Sequence, residues 1–280
     1  MPAIGDMEIG VMFWAGPDAV ETIRRVKATG VRCGQLGIPP DMQLAGAAQA
    51  WRGALEAEDF TVVTVFGAYQ GESYADIPAV QRTVGFIPAA TRTEREHRTL
   101  DISDFAAELG VASVACHIGF VPEDRAHRDY VAVRGMVRRV ADHAAGRRQT
   151  FALETGQEPA RVLVEFLRDV GRQNLKINFD PANMILYGTG DPIESLGILA
   201  PHVVSVHAKD GDWPPKKTPG ALGTERRLGE GSVGIERFVA KLKEIGYRGT
   251  LNIEREVEDQ DQKWRDIAAA VVLLRGLVEG

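Results

Sequence analysis

The chain has 280 residues, 44% hydrophobic and 26% charged, enough apolar material for a large core, and this excludes a disordered or fibrous protein. Its 33 Lys and Arg against 39 Asp and Glu leave a net charge of −6, the wrong sign for a protein that grips phosphate backbones, so no nucleic-acid partner is expected. No run approaches the roughly 20 apolar residues of a membrane helix, and the opening MPAIGDMEIG lacks a basic stretch followed by an apolar one, so no membrane partner and a cytoplasmic location are expected.

Short β-rich runs alternate with longer amphipathic stretches along the whole chain. Strands are predicted at Glu8 to Trp14, Val31 to Ile38, Phe60 to Tyr69, Ser113 to Phe120, Thr150 to Gly156, Leu175 to Asn183, Val203 to Asp210 and Thr250 to Glu256. Helical stretches follow, among them Asp18 to Thr29, Met42 to Glu58, Thr91 to Leu109, Asp124 to Arg147 and Gln260 to Val278. Eight such units without a Pro/Gly/Ser-rich linker fit one (β/α)₈ TIM barrel over residues 1–280, an α/β fold usually of about 250 residues. Cys33 and Cys116 fall in apolar strand runs and are too few for a disulfide framework or a thiolate zinc site, so they are read as reduced packing residues.

Two connections, Gln70 to Ala90 and Gly211 to Gly234, are too long for plain loops, and both follow a strand, which puts them on the catalytic face. Trp213, Pro214, Pro215, Lys216 and Lys217 are a candidate lid, and Tyr69, Tyr74 and Phe86 are candidate pocket walls, with surface decoration or an oligomer contact as the alternative.

Side chains alternate across a strand, and the later strands divide cleanly. Phe151 and Leu153 oppose Ala152 and Glu154, Ile177 and Phe179 oppose Asn178 and Asp180, Val204 and Val206 oppose Ser205 and His207, and Leu251 and Ile253 oppose Thr250, Asn252 and Glu254. In a barrel the apolar faces meet the helices and the polar set lies inside. Four consecutive strands would then each place an ionisable residue inward near their C-terminal ends: Glu154, Asp180, His207 and Glu254, spaced 26, 27 and 47 positions apart. Buried carboxylates repel one another without a cation, so the set reads as a hard, oxygen-rich site for one divalent metal, Mn²⁺, Mg²⁺ or Co²⁺ before Zn²⁺.

These residues stand in LETG (Glu154), NFDPAN (Asp180), VHAKD (His207) and GYRGTLNIERE (Glu254), with LGEGSVG at Leu228 to Gly234. With them the chain resembles the xylose isomerase-like TIM barrel superfamily over nearly its whole length, in particular the sugar isomerase/epimerase branch of ketose 3-epimerases, hydroxypyruvate isomerases and inosose dehydratases. The resemblance implies that Glu154, Asp180, His207 and Glu254 hold one divalent ion, usually manganese, that Glu154 and Glu254 double as acid and base, and that the chain forms a homo-oligomer. The family's aspartate motif often carries histidine where this chain has Asn183, so a substrate contact is altered, and Glu158 is the nearest counterpart of a substrate-facing glutamate.

The chemistry implied is proton transfer next to a carbonyl through a metal-stabilised enediolate on a ketose or keto-sugar. The alternative on the same metal site is an inosose dehydratase-like lyase, in which water or an alcohol is eliminated instead. His117, inward with Ser113 and Ala115, is a substrate-contact candidate, whereas Cys116 points the other way and cannot pair with it. Lys209 shares the phase of His207 and could neutralise a substrate oxygen or pair with Asp180. Trp14 could stack on a sugar face, and Arg226 or Arg227 could clamp a hydroxyl or phosphate, against packing and surface charge as alternatives. Gly229 to Gly234 matches G-x-G-x-x-G, yet no strand precedes it, so it is expected to shape a helix entry and not a dinucleotide site.

Overall fold

The computed structural model describes residues 6–280, and the first five positions of the expected 1–280 domain lie outside the described residues. The strands are β1 (Ile9–Trp14), β2 (Cys33–Ile38), β3 (Thr61–Gly67), β4 (Ser113–Cys116), β5 (Thr150–Glu154), β6 (Leu175–Phe179), β7 (Val203–Ala208), β8 (Asp210–Asp212), β9 (Thr224–Arg226) and β10 (Leu251–Ile253). The helices are α1 (Ala19–Lys27), α2 (Ala47–Ala57), α3 (Ile77–Thr83), α4 (Arg92–Glu108), α5 (Arg128–Gly146), α6 (Ala160–Val170), α7 (Pro181–Tyr187), α8 (Pro192–Leu199), α9 (Ile235–Glu244) and α10 (Gln260–Glu279). Eight parallel strands close in the order β1-β10-β7-β6-β5-β4-β3-β2, the (β/α)₈ barrel expected. The two remaining strands, β8 and β9, form an antiparallel hairpin inside the long loop after β7, with Asp210 opposite Arg226.

Alternation builds two cores. Val11, Phe13, Val114, Cys116, Phe151, Leu153, Ile177 and Phe179 face outward and meet the helices. Met12, Phe66, Ala115 and Ala152 form a separate group within the barrel, with Trp14 and Val204 against it. The expected partnership of Val204 with Val206 is corrected here. β6 and β7 slip register between Ile177 and Asn178, whose partners are Val203 and Ser205, so Val204 is an extra residue that turns inward at a bulge. Beyond the bulge the phase is restored, and His207 points inward beside Asn252 of β10.

Several expected strands are shorter than their sequence runs. β6 stops at Phe179 because Asp180 caps α7, its carboxylate accepting from Asn183 N at 3.0 Å. Asn183 is thus a first-turn helical residue. In β2, Gly37 is required by space, since a Cβ there would lie 2.5 Å from the Trp14 ring and 2.8 Å from Met12. Cys33 and Cys116 are buried, unpaired thiols. No helix among the described residues is long and apolar enough to cross a membrane.

Candidate active site and metal centre

Glu154 ends β5, Asp180 follows β6, His207 lies in β7 and Glu254 follows β10, four positions that the barrel brings to one mouth. Each offers a ligand atom, and these atoms all lie within 4.8 Å of one another. His207 Nδ1 is 2.8 Å from Glu154 Oε1, 3.1 Å from Glu254 Oε2 and 3.6 Å from Asp180 Oδ2. Yet His207 Nδ1 and Asp180 Oδ2 are buried atoms without a properly angled hydrogen bond. Two unpartnered ligand atoms where three carboxylates converge are what a divalent cation would satisfy, and three oxygens with one nitrogen form a hard ligand set.

The electrostatics follow from that crowding. Burial pushes the Glu154 carboxyl up, but the charges of His117 and His207 and their hydrogen bonds outweigh it and hold the group at about 2. Burial likewise opposes ionisation of Glu254, and Lys209 and His207 reverse this, holding it well below the usual carboxylate range. Asp180 stays above its ordinary value because burial dominates there.

Around the centre, His117 Nε2 lies 2.8 Å from Glu154 Oε2, and Gln157 Nε2 lies 3.0 Å from His117 Nδ1. Burial lowers the His117 pKa, but Glu154 more than compensates and raises it to about 9. Gln157 Oε1 has no other partner, so turning the amide to present that oxygen would satisfy both the charged ring and itself. Lys209 Nζ lies 3.1 Å from Glu254 and 2.7 Å from Glu256, with Asp180 at 3.9 Å, so its main partners are the two glutamates.

Above the cluster opens a cavity of about 430 Å³. Trp14, His117, Glu154, Asn183, Lys209 and Glu254 all border it, while Asp180 and His207 lie fully buried beneath. Asn183 Nδ2 reaches to 3.4 Å from Glu154 Oε1.

Three sequence-derived site candidates stand elsewhere. The backbone turns at Gly156, φ 143°, so Glu158 leaves the cavity and its carboxylate accepts from Val121 N at 2.8 Å. Arg226 points to Asp212 at 2.7 Å, and Arg227 to Glu230 and Asp266, so neither arginine borders the cavity. The expected lid and walls change as well. Trp213 is exposed and outside the lining, and Tyr69 and Phe86 pack on each other in the core, ring centres 5.7 Å apart. Of the three expected walls only Tyr74 lines the cavity, joined by Leu222, Gly223 and Glu225 on the returning limb of the loop and by Glu72 and Glu256.

Sequence reasoning missed three polar devices, two of them buried. Gln35 of β2 contacts the ring of His207 from behind, with Oε1 2.8 Å from Nε2. Asp210 fills the glycine-rich loop, accepting from Gly211, Gly229, Gly231 and Val233 N–H groups at 2.9 to 3.1 Å. A Cβ on Gly231 would fall 2.3 Å from that carboxylate, so the G-x-G-x-x-G segment encloses the chain's own anion and leads into α9, as expected of a helix entry. Glu72 does similar work in the other long loop, accepting from Tyr69 and Gly85. The signal available was a polar residue inside a strand for Gln35 and an acidic residue flanking a glycine-rich stretch for Asp210.

The solved structures that the chain resembles include a xylose isomerase domain protein from Planctomyces limnophilus, 43% identical, with 97% of each chain covered and a TM-score of 0.92. A D-allulose 3-epimerase from Methylomonas sp. is 16% identical over 99% of this chain and 100% of that one, TM-score 0.71. A 3-keto-D-glucoside 4-epimerase from E. coli is 17% identical over 95% of this chain and 99% of that one, TM-score 0.67. At such identities the last two show the shared fold. Two curated relatives, uncharacterised proteins of Methanocaldococcus jannaschii and Escherichia coli, are 30% and 31% identical over 95 and 99 residues, and the matches span only 30% and 29% of their lengths. The xylose isomerase-like TIM barrel profile matches residues 23–274, nearly the whole barrel, and the chain belongs to that family.

Proposed function

We propose that the chain is a divalent-metal-dependent sugar isomerase/epimerase that moves a proton next to the carbonyl of a ketose or keto-sugar. The observation that carries this reading is that Glu154 and Glu254 belong both to the four-residue metal cluster and to the cavity wall. Bound by Glu154, Asp180, His207 and Glu254, a divalent ion, Mn²⁺ in our reading, would supply Lewis acidity to a carbonyl oxygen and its neighbouring hydroxyl. Glu254, kept ionised by Lys209, is the group that accepts the carbon-bound proton. Glu154, ionised at rest, delivers to the carbon a proton that it takes from His117, which is charged and 2.8 Å from Glu154 Oε2.

The cavity wall also carries the substrate class. Glu72, Glu154, Glu225, Glu254 and Glu256 line it, while its two cations, His117 and Lys209, are already paired with glutamates, and no arginine lines it among the described residues. Such a wall repels a phosphate or a distal carboxylate and supplies acceptors for hydroxyl groups. Trp14, Phe66 and Tyr74 add aromatic faces for the C–H side of a sugar ring. An uncharged keto-sugar is therefore the substrate proposed, with Asn183 as a further contact.

The test is proton NMR of Mn²⁺-loaded protein in D₂O with neutral ketoses, keto-glycosides and inososes, their phosphorylated counterparts, and the Glu254→Gln variant. Deuterium appearing next to the carbonyl of a neutral sugar, and absent with the variant, is the expected result. A dehydrated product would assign the same site to elimination. Exchange undiminished in the variant would overturn the role given to Glu254, and preference for a phosphorylated sugar would overturn the substrate class.

A further inference from the structure

We propose that Gln35, reaching across the barrel interior from β2, is a positioning residue that keeps the proton of His207 on Nε2 and thereby offers Nδ1 as the ligating atom. This rests on the metal-site reading above. Gln35, Asn178, Ser205 and His207 are each at most 3% exposed, so no bulk water competes for their polar groups. The orientation of the Gln35 amide is set by its neighbours. Its Nε2 donates to Asn178 Oδ1 at 2.9 Å and to Ser205 Oγ, which uses both of its hydrogens. Turning the amide over would set its oxygen against Asn178 Oδ1 and lose that bond, whereas the Ser205 hydroxyl can serve either orientation. Gln35 Oε1 is therefore left facing His207 Nε2 at 2.8 Å.

An oxygen at that distance requires an N–H, because two lone pairs would repel. Asn178 Nδ2 is the rival neighbour of His207 Nε2, at 3.1 Å, and would suit the opposite tautomer. The closer oxygen decides in favour of Nε2–H. With that proton fixed, Nδ1, the atom that faces Glu154, Asp180 and Glu254, is the ring nitrogen left for a metal ion to take. The Nδ1 position among three carboxylates would otherwise attract the ring's proton to Nδ1 and consume the nitrogen that the cluster needs. Gln35 also ties β2 to β7, which are not neighbours in the barrel, so the ring is held from the side opposite the ligands.

The test compares the unaltered chain with Gln35→Leu and Gln35→Glu, the latter still able to accept from Nε2–H. Mn²⁺ affinity is read by titration calorimetry, and the protonated ring nitrogen by ¹⁵N NMR of the histidines in the diamagnetic Zn²⁺-loaded protein. We expect Gln35→Leu to bind Mn²⁺ about 10- to 100-fold more weakly, with the Nε2–H signal of His207 diminished, and Gln35→Glu to recover most of the affinity and the Nε2–H signal. Equal affinity and an unchanged ring in Gln35→Leu would overturn the inference and leave the metal site standing. An unaltered chain that binds no divalent ion would overturn both. Should Gln35→Leu fail to fold, Gln35→Glu decides: tight binding with the proton on Nε2 supports the assignment, and weak binding overturns it.

Discussion

The strands that open the chain and those that close it furnish the barrel mouth with different chemistry. β1, β3 and the loop after β3 bring Trp14, Phe66 and Tyr74, whereas β5, β6, β7 and β10 bring Glu154, Asp180, His207 and Glu254. The interior behind each half differs in the same sense. Met12 and Ala115 back the aromatic side, while Asn178, Ser205 and Asn252 stand on strands that lead to the candidate ligands. Ionised groups need polar neighbours or a cation to remain charged in a closed interior, so the charged half lies where the barrel supplies both. The aromatic half needs only shape. Under the proposed function one half moves protons and the other places a sugar against it.

The largest effect should come from breaking the charged half without changing its shape. Glu254→Gln keeps the volume and removes the proposed proton acceptor, and should lower kcat by about 10²- to 10⁴-fold, as expected of a lost general base, with KM little altered. Glu154→Gln should behave alike. Steady-state kinetics on whichever keto-sugar exchanges deuterium separates the two constants, and a loss confined to KM would move these residues to the placing half.

The long loops over the two halves repeat the comparison with backbone chemistry. Asp210 gathers four N–H groups and Glu72 two, so the loop over the charged half leans more heavily on one carboxylate. Arg95 shares the load in the other loop, donating to the carbonyls of Gln70, Thr83 and Gly85. Asp210→Ala should therefore cost about 3 kcal/mol in urea unfolding, by leaving buried donors unpaired. Glu72→Ala should cost less, and the reverse order would show that the glycine-rich loop needs no internal anion.

A third effect tests the glutamate that sequence reasoning assigned to the site. Burial pushes the Glu158 carboxyl up to about 7, against the pull of the Val121 N–H and the more distant charge of His117. Between its free value of 4.5 and about 7 the folded chain holds a proton that the unfolded chain has lost. Stability contributed by this group is complete at low pH and declines as pH rises through that window. Glu158→Gln should remove the decline and be more stable than the parent at pH 8 by up to about 3 kcal/mol. Parallel stability profiles for the two proteins would mean that the buried carboxyl ionises without cost.

Glu158 shows why legibility in the sequence is uneven. Period-two alternation, repeated once per strand-helix unit, was enough to bring Glu154, Asp180, His207 and Glu254 together, because each phase is local and the barrel fixes the rest. The path after a strand end obeys no such period. A single left-handed glycine, Gly156, separates Glu154 from Glu158, and Asp212 captures Arg226 within a hairpin that charge patterns do not announce. Gln35 was illegible for another reason, since its partners lie 143 to 172 positions away. The bulge at Val204 left no mark, because valine fits either face.

The smallest effect belongs to the aromatic half and is the one that defines it. Trp14 borders the cavity at the end of β1, in the space that Gly37 leaves open, and takes no part in the ion pairs of Glu154 or Glu254. Trp14→Ala removes a flat apolar surface while the ligands, His117 and Lys209 keep their contacts. The loss should appear as about a tenfold rise in KM, the equivalent of some 1.4 kcal/mol of sugar contact, with kcat within about twofold of the parent. Gly37→Ala approaches the same ring from behind, and its Cβ would displace the indole, so it should reproduce the KM effect without touching the sugar itself. If both variants instead lowered kcat as strongly as Glu254→Gln, Trp14 would hold the substrate carbon within reach of the acid and base, and the two halves would act as one device.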